Sequence, residues 1–127
     1  IMMYLEEAHN VIGKDDPLDA TWPRIAKEGA KAGIGLVYAT QRPSSVNASI
    51  MSETENIIVT KLNNTEDVRA LGKLYDFEDF SKEIREVQTP GFARVKTLSS
   101  AFVMPVQIDE FKPEEVSEAH LSRRERR

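Results

Sequence analysis

The sequence predicts an α/β domain, with a mainly parallel sheet extended by an antiparallel hairpin at its carboxyl end. Three observations carry this expectation. Short apolar runs at residues 1–5 and 34–39 have the length and continuity of buried strands, and a third strand spans 56–62 with Ile57, Ile58 and Val59 at its heart. Segments of helical character separate them, and that alternation builds parallel sheets. Two further strand-like runs, 92–97 and 101–108, are joined by only Leu98-Ser99-Ser100, a connection short enough for a hairpin.

The first strand leads into Glu6-Glu7-Ala8-His9-Asn10, and residues 13–17 form a charged turn. A helix follows. Pro23 suits its first turn, where a missing N–H costs nothing, and Thr21 is placed to cap it. Ile25, Ala26, Gly29, Ala30 and Ala32 give it small apolar residues, and Gly33 can end it in left-handed geometry. After the second strand, Thr40-Gln41-Arg42-Pro43 forms a loop in which Pro43 keeps Arg42 out of helical geometry. Residues 45–52 suit a short helix. Thr65 can cap another that runs to Leu71 or Leu74, with Glu66 and Asp67 in its first turn. Phe77, Phe80 and Ile84 recur at helical spacing across 76–84, and Thr89-Pro90-Gly91 is a turn. Pro105 cannot donate to a ladder, so the last strand belongs at a sheet edge or carries a bulge.

Composition excludes several classes. With 127 residues the chain is one domain or part of one, and 40% apolar with 30% charged residues describes a folded, soluble protein. The absence of cysteine removes disulfide frameworks and thiolate metal sites, and fits a reducing cytoplasm. No apolar run approaches the roughly 20 residues that span a bilayer, and no signal-peptide pattern opens the chain. A net charge of −4 argues against a uniformly basic nucleic-acid surface while leaving room for a local basic loop. We expect a domain over residues 1–111 and a charged tail over 112–127, helical or disordered. The tail is acidic from Pro113 to Glu118 and closes on Arg123, Arg124, Arg126 and Arg127.

Two strand ends carry the residues suited to chemistry. An apolar strand ending in paired carboxylates has the form of a Walker B element. At such a place Glu7 can orient or polarise an attacking water, while Glu6 supports magnesium. Taken alone, two acids after an apolar run are common and are better explained by an ordinary strand-to-loop boundary. Gln41, just past the second strand, can bond both a water and a phosphate oxygen, or simply satisfy loop backbone. If the two strands are neighbours, both ends share one sheet edge. Arg42 lies beside Gln41 as a phosphate-binding candidate. Arg24, Lys27 and Lys31 stand three and four residues apart, as on one helical face, either solvated or offered to a neighbour's nucleotide. His9 suits a loop hydrogen bond better than a metal site, because the only other histidine is His120. Trp22, Phe77 and Phe80 suit packing. Asn63 and Asn64 suit either a nucleotide or subunit contact or the turn into the next helix.

Taken in order, Glu6 to Asn10, Arg24 to Leu36, Ala39 to Ser44 and Ile57 to Asn64 resemble the HerA/FtsK-type motor ATPases, archaeal HerA-like DNA translocases above all. The resemblance covers about residues 1–108 of the chain. It implies the second half of a RecA-like P-loop NTPase core, with ATP and Mg2+ as ligands. It further implies hexameric rings on DNA, work in DNA end processing beside a NurA-type nuclease, and no membrane partner. By this resemblance Glu7 is the catalytic glutamate and Gln41 the sensor glutamine, with Glu6, Arg42, Arg24 and Lys31 at the nucleotide. Two departures stand out: Glu6 occupies a position where the family often has aspartate, and Ala30 one where it often has a basic residue. The chain contains no G-x-x-x-x-G-K-[ST] phosphate loop, so it is expected to leave ATP intact by itself. Two other readings stay open. One is a fragment of a secretion or conjugation ATPase, and the other a non-enzymatic α/β interaction module.

Overall fold

A computed structural model describes residues 1–75 and 77–113. Its strands are β1 (Met2–Leu5), β2 (Gly35–Tyr38), β3 (Ile57–Val59), β4 (Phe92–Lys96) and β5 (Met104–Gln107). Its α-helices are α1 (Thr21–Glu28), α2 (Ala48–Ser52), α3 (Thr65–Tyr75) and α4 (Ser81–Glu86). The α/β class is as expected, but the sheet is divided. β1 and β2 pair in parallel, whereas β3, β4 and β5 form a separate antiparallel sheet in that order. Parallel pairing among the described residues is therefore confined to one pair, which corrects the expectation of a mainly parallel sheet. An apolar run such as Ile57-Ile58-Val59 states that a strand forms; its partner depends on distant chain that periodicity does not encode. The closing hairpin is present, and Pro105 lies on the edge strand β5 as its missing N–H requires.

The first strand was expected to be buried, yet only one of its faces is. Met2 and Tyr4 are exposed, as is Val37 opposite Tyr4, whereas Leu5 and Tyr38 pack onto the core. That core gathers Ala8, Ile12, Ile50, Val68, Leu71 and Phe77 between the two sheets and the helices. Trp22 and Phe80 pack against it, so Trp22, Phe77 and Phe80 are packing groups. Tyr75 is buried and its hydroxyl donates to the Met51 carbonyl. Burial, with Tyr38 nearby, raises its pKa to about 12 against the lowering effect of Thr54.

Helix ends differ in detail from expectation. Thr21 is the first residue of α1 and gives no side-chain cap; Ala20 occupies the cap position. Asn64 caps α3 in place of Thr65, its Oδ1 accepting from the Glu66 N–H at 2.8 Å. Asn64 thus serves the turn into α3. Gly33 takes the left-handed conformation (φ 67°) foreseen for it. α1 stops at Glu28, and a 3-10 turn, Gly29–Ala32, replaces its last expected turn. Lys31 therefore does not continue the helical face of Arg24 and Lys27. The expected helix at 76–84 is a 3-10 turn, Glu78–Phe80, followed by α4. Most of the expected charged tail, from residue 114 on, lies outside the described residues.

Candidate functional site

The parallel register of β1 and β2 aligns Leu5 with Tyr38, so both strands end at the same edge. Beyond them the ladder continues irregularly. Ala39 N–H donates to the Leu5 carbonyl at 2.9 Å, and Ala8 N–H donates to the Ala39 carbonyl at 2.9 Å. A regular parallel ladder places those two partners two residues apart; here they are three apart, so one residue bulges out. Glu7 absorbs the bulge with φ 48° and ψ 48°, the one left-handed non-glycine among the described residues. Such a conformation costs a glutamate about 1 kcal/mol or more. The buried Ala8 and Ile12 hold it from the carboxyl side, through the 3-10 turn Ala8–Asn10, and Leu5 packs onto the core on the other side.

The bulge aims Glu7 at the loop after β2. Gln41 Nε2 donates to Glu7 Oε1 at 2.8 Å, so the two strand ends do share an edge. The other carboxylate oxygen, Oε2, lies 3.4 Å from His9 Nδ1. His9 Nδ1 also lies 2.9 Å from Thr40 Oγ1, which accepts the Arg42 N–H at 3.0 Å. The loop itself is pinned from below. Ser44 donates both its N–H (2.9 Å) and its hydroxyl (2.7 Å) to Oδ1 of Asp67, a buried carboxylate on α3. The sequence offered Asp67 as a first-turn helix acid and gave no sign of this clamp.

The remaining candidates stand apart from that cluster. Glu6 and Arg42 are exposed beside it, and Glu6 makes no hydrogen bond or ion pair among the described residues. Arg24 pairs with Glu28 at 3.4 Å on the exposed side of α1, and Lys31 is exposed in the following turn. Neither joins the network around Glu7. Among the described residues no group of three or more His, Asp or Glu side chains builds a metal cage. Nor is any helix long and apolar enough to cross a membrane. What the site offers is one partly exposed carboxylate, held at a strand edge by an amide and faced by an imidazole.

No family model matches the chain. Relatives do. It is 32% identical over 121 residues to the DNA double-strand break repair helicase HerA of Sulfurisphaera tokodaii, covering 88% of this chain and 23% of that protein. A probable HerA of Methanocaldococcus jannaschii is 29% identical over 117 residues, again with 23% of its length covered. The chain is a HerA-type segment. It spans less than a quarter of the length of these relatives. The fold of this HerA-type segment is also that of the genome packaging NTPase B204 of Sulfolobus turreted icosahedral virus 2. The structure of B204 with AMPPCP matches with a TM-score of 0.74 and 13% identity, over 87% of this chain and 53% of that one. The AMP complex matches with a TM-score of 0.72 over 86% and 53%.

Proposed function

We propose that this segment is the second half of a RecA-like ATPase core in a HerA-type DNA translocase that works in DNA end processing. The contact between Glu7 and Gln41 carries the reading, because it joins the two residues that hydrolysis needs at the carboxyl edge of a parallel pair. Two kinds of likeness support it. The relatives are named as DNA repair helicases, and the B204 structures were solved with AMP and with nucleotide analogues.

In this reading Glu7 accepts a hydrogen bond from the attacking water and fixes its line of approach to the γ-phosphorus. Gln41 has both a donor and an acceptor, so it can leave Glu7 for a phosphate oxygen and report the state of the nucleotide to the loop clamped on α3. Magnesium arrives with ATP as part of the substrate. A single uncommitted carboxylate such as Glu6 suits an ion already ligated by phosphates and water. Arg42, Arg24 and Lys31 are the exposed cations offered to phosphate, the latter two from a surface that a neighbouring subunit can meet. The intact protein then acts as a cytoplasmic hexameric ring on DNA, beside a NurA-type nuclease.

The test is DNA-stimulated ATP turnover by the full-length gene product, compared with its Glu7→Gln variant. We expect a loss of about 100-fold or more, the scale of a positioned acid–base group. Unchanged turnover in the variant, or a full-length product that neither binds nor hydrolyses ATP, overturns the reading.

A further inference from the structure

His9 is the group in this cluster without a role in the proposed reaction, and its surroundings are specific. Its side chain is only 13% exposed, against 47% for Glu7, so the imidazole is the more firmly placed of the two. A single ring nitrogen, Nδ1, faces two oxygens on two strand ends: Thr40 Oγ1 at 2.9 Å and Glu7 Oε2 at 3.4 Å. An ionised carboxylate only accepts hydrogen bonds. If Nδ1 carried a lone pair, that lone pair would face the carboxylate and be repelled. A proton on Nδ1 instead gives Thr40 a hydrogen bond and Glu7 an attractive partner.

We propose that His9, as the Nδ1–H tautomer, is the positioning residue for Glu7. The inference rests on the reading of Glu7 as the water-orienting carboxylate. The bulge leaves Glu7 projecting from the ladder with one oxygen on Gln41 and the other toward His9. When Gln41 turns to phosphate, Oε1 is freed for water, and the carboxylate needs a second restraint to keep its aim. His9 supplies it from the same 3-10 turn that is anchored through the buried Ala8. Thr40 ties that restraint to β2, because its hydroxyl oxygen is held by the Arg42 N–H. The acceptor at Oε2 thus has a fixed donor that does not move with the nucleotide.

Two measurements test this. Nitrogen-15 NMR of the imidazole in the 127-residue chain reads the tautomer directly, without nucleotide or turnover. Nδ1–H is expected, and Nε2–H overturns the proposal. In the full-length gene product, His9→Ala is expected to lower kcat for ATP about 10-fold to 100-fold with KM unchanged, as loss of aim does. His9→Asn should restore kcat to within a few-fold, because its amide nitrogen stands near the place of Nδ1. His9→Gln, whose amide reaches toward the place of Nε2, should not. Equal rescue by Asn and Gln, or wild-type kcat in His9→Ala, overturns the role of His9. If His9→Ala fails to fold, the Asn and Gln pair carries the comparison. Glu7→Gln separates the two ideas: full turnover in that variant removes the reading of Glu7 itself, whatever the tautomer of His9.

Discussion

Glu7 sits in a conformation that glycine or asparagine would adopt at less cost. A strained backbone at a strand end persists only where its surroundings over-determine it, and here Ala8, Ile12 and the two bonds to Ala39 do so. That strain fits the role proposed for the Glu7 side chain. Glu7→Asn is therefore expected to raise stability by up to about 1 kcal/mol while abolishing turnover in the full-length product. Urea unfolding of the 127-residue chain checks the first half; a clearly destabilised variant would show that the bulge is not strained. The acids and the glutamine were legible as candidates for chemistry, because their types and their places after apolar runs can be read directly, whereas His9 read only as a loop hydrogen-bonding residue. The left-handed φ was not, since glutamate carries no turn signal. The Ser44–Asp67 clamp was equally hidden, as it joins residues 23 apart through two bonds to one oxygen.

Among the elements, the hairpin of β4 and β5 depends on how it is entered. Gly91 has φ 75°, its carbonyl accepts the Ile108 N–H at 2.7 Å, and it has no room for a side chain. A Cβ there would stand 2.3 Å from the Ile108 carbonyl oxygen. Gly91→Ala therefore faces both a backbone clash and a left-handed penalty, and is expected to cost about 2–3 kcal/mol. Gly33→Ala is the control, with a similar φ of 67° but open space around it, and should cost about 1 kcal/mol. Equal losses in the two variants, measured by denaturant unfolding, would mean that the crowding at Gly91 is relieved by movement of β5. Thr89-Pro90-Gly91 was readable as a turn from composition alone. The cap residues were less so: Asn64 and Thr65 are adjacent candidates of similar propensity, and the chain path into α3 selects Asn64.

At the scale of the whole molecule, two small sheets share one core and leave apolar surface uncovered. Met2, Tyr4 and Val37 lie on one exposed face of the parallel pair. β2 and β3 each keep one edge without a strand partner among the described residues. An apolar sheet face beside open edges favours association. The isolated chain is expected to self-associate in sedimentation velocity, and Tyr4→Lys with Val37→Lys to shift it toward monomer. Because those side chains are exposed, the pair should change unfolding stability by no more than about 0.5 kcal/mol each. A wild-type chain that sediments as a monomer at all concentrations sinks the idea.

The sequence by itself determined the α/β class, the position of nearly every element, and the chemical identity of the residues at both strand ends. Those properties are local: they depend on side-chain type, on periods of two and of three to four residues, and on turn chemistry. Tertiary structure alone decided that β3 leaves the parallel pair, that β1 buries one face, that Lys31 parts from the helix of Arg24, and that a bulge turns Glu7 toward Gln41 and His9. Each of these depends on which distant segments meet. Pairing, burial and strain are set by the balance of the whole core, and no short stretch of chain contains that balance.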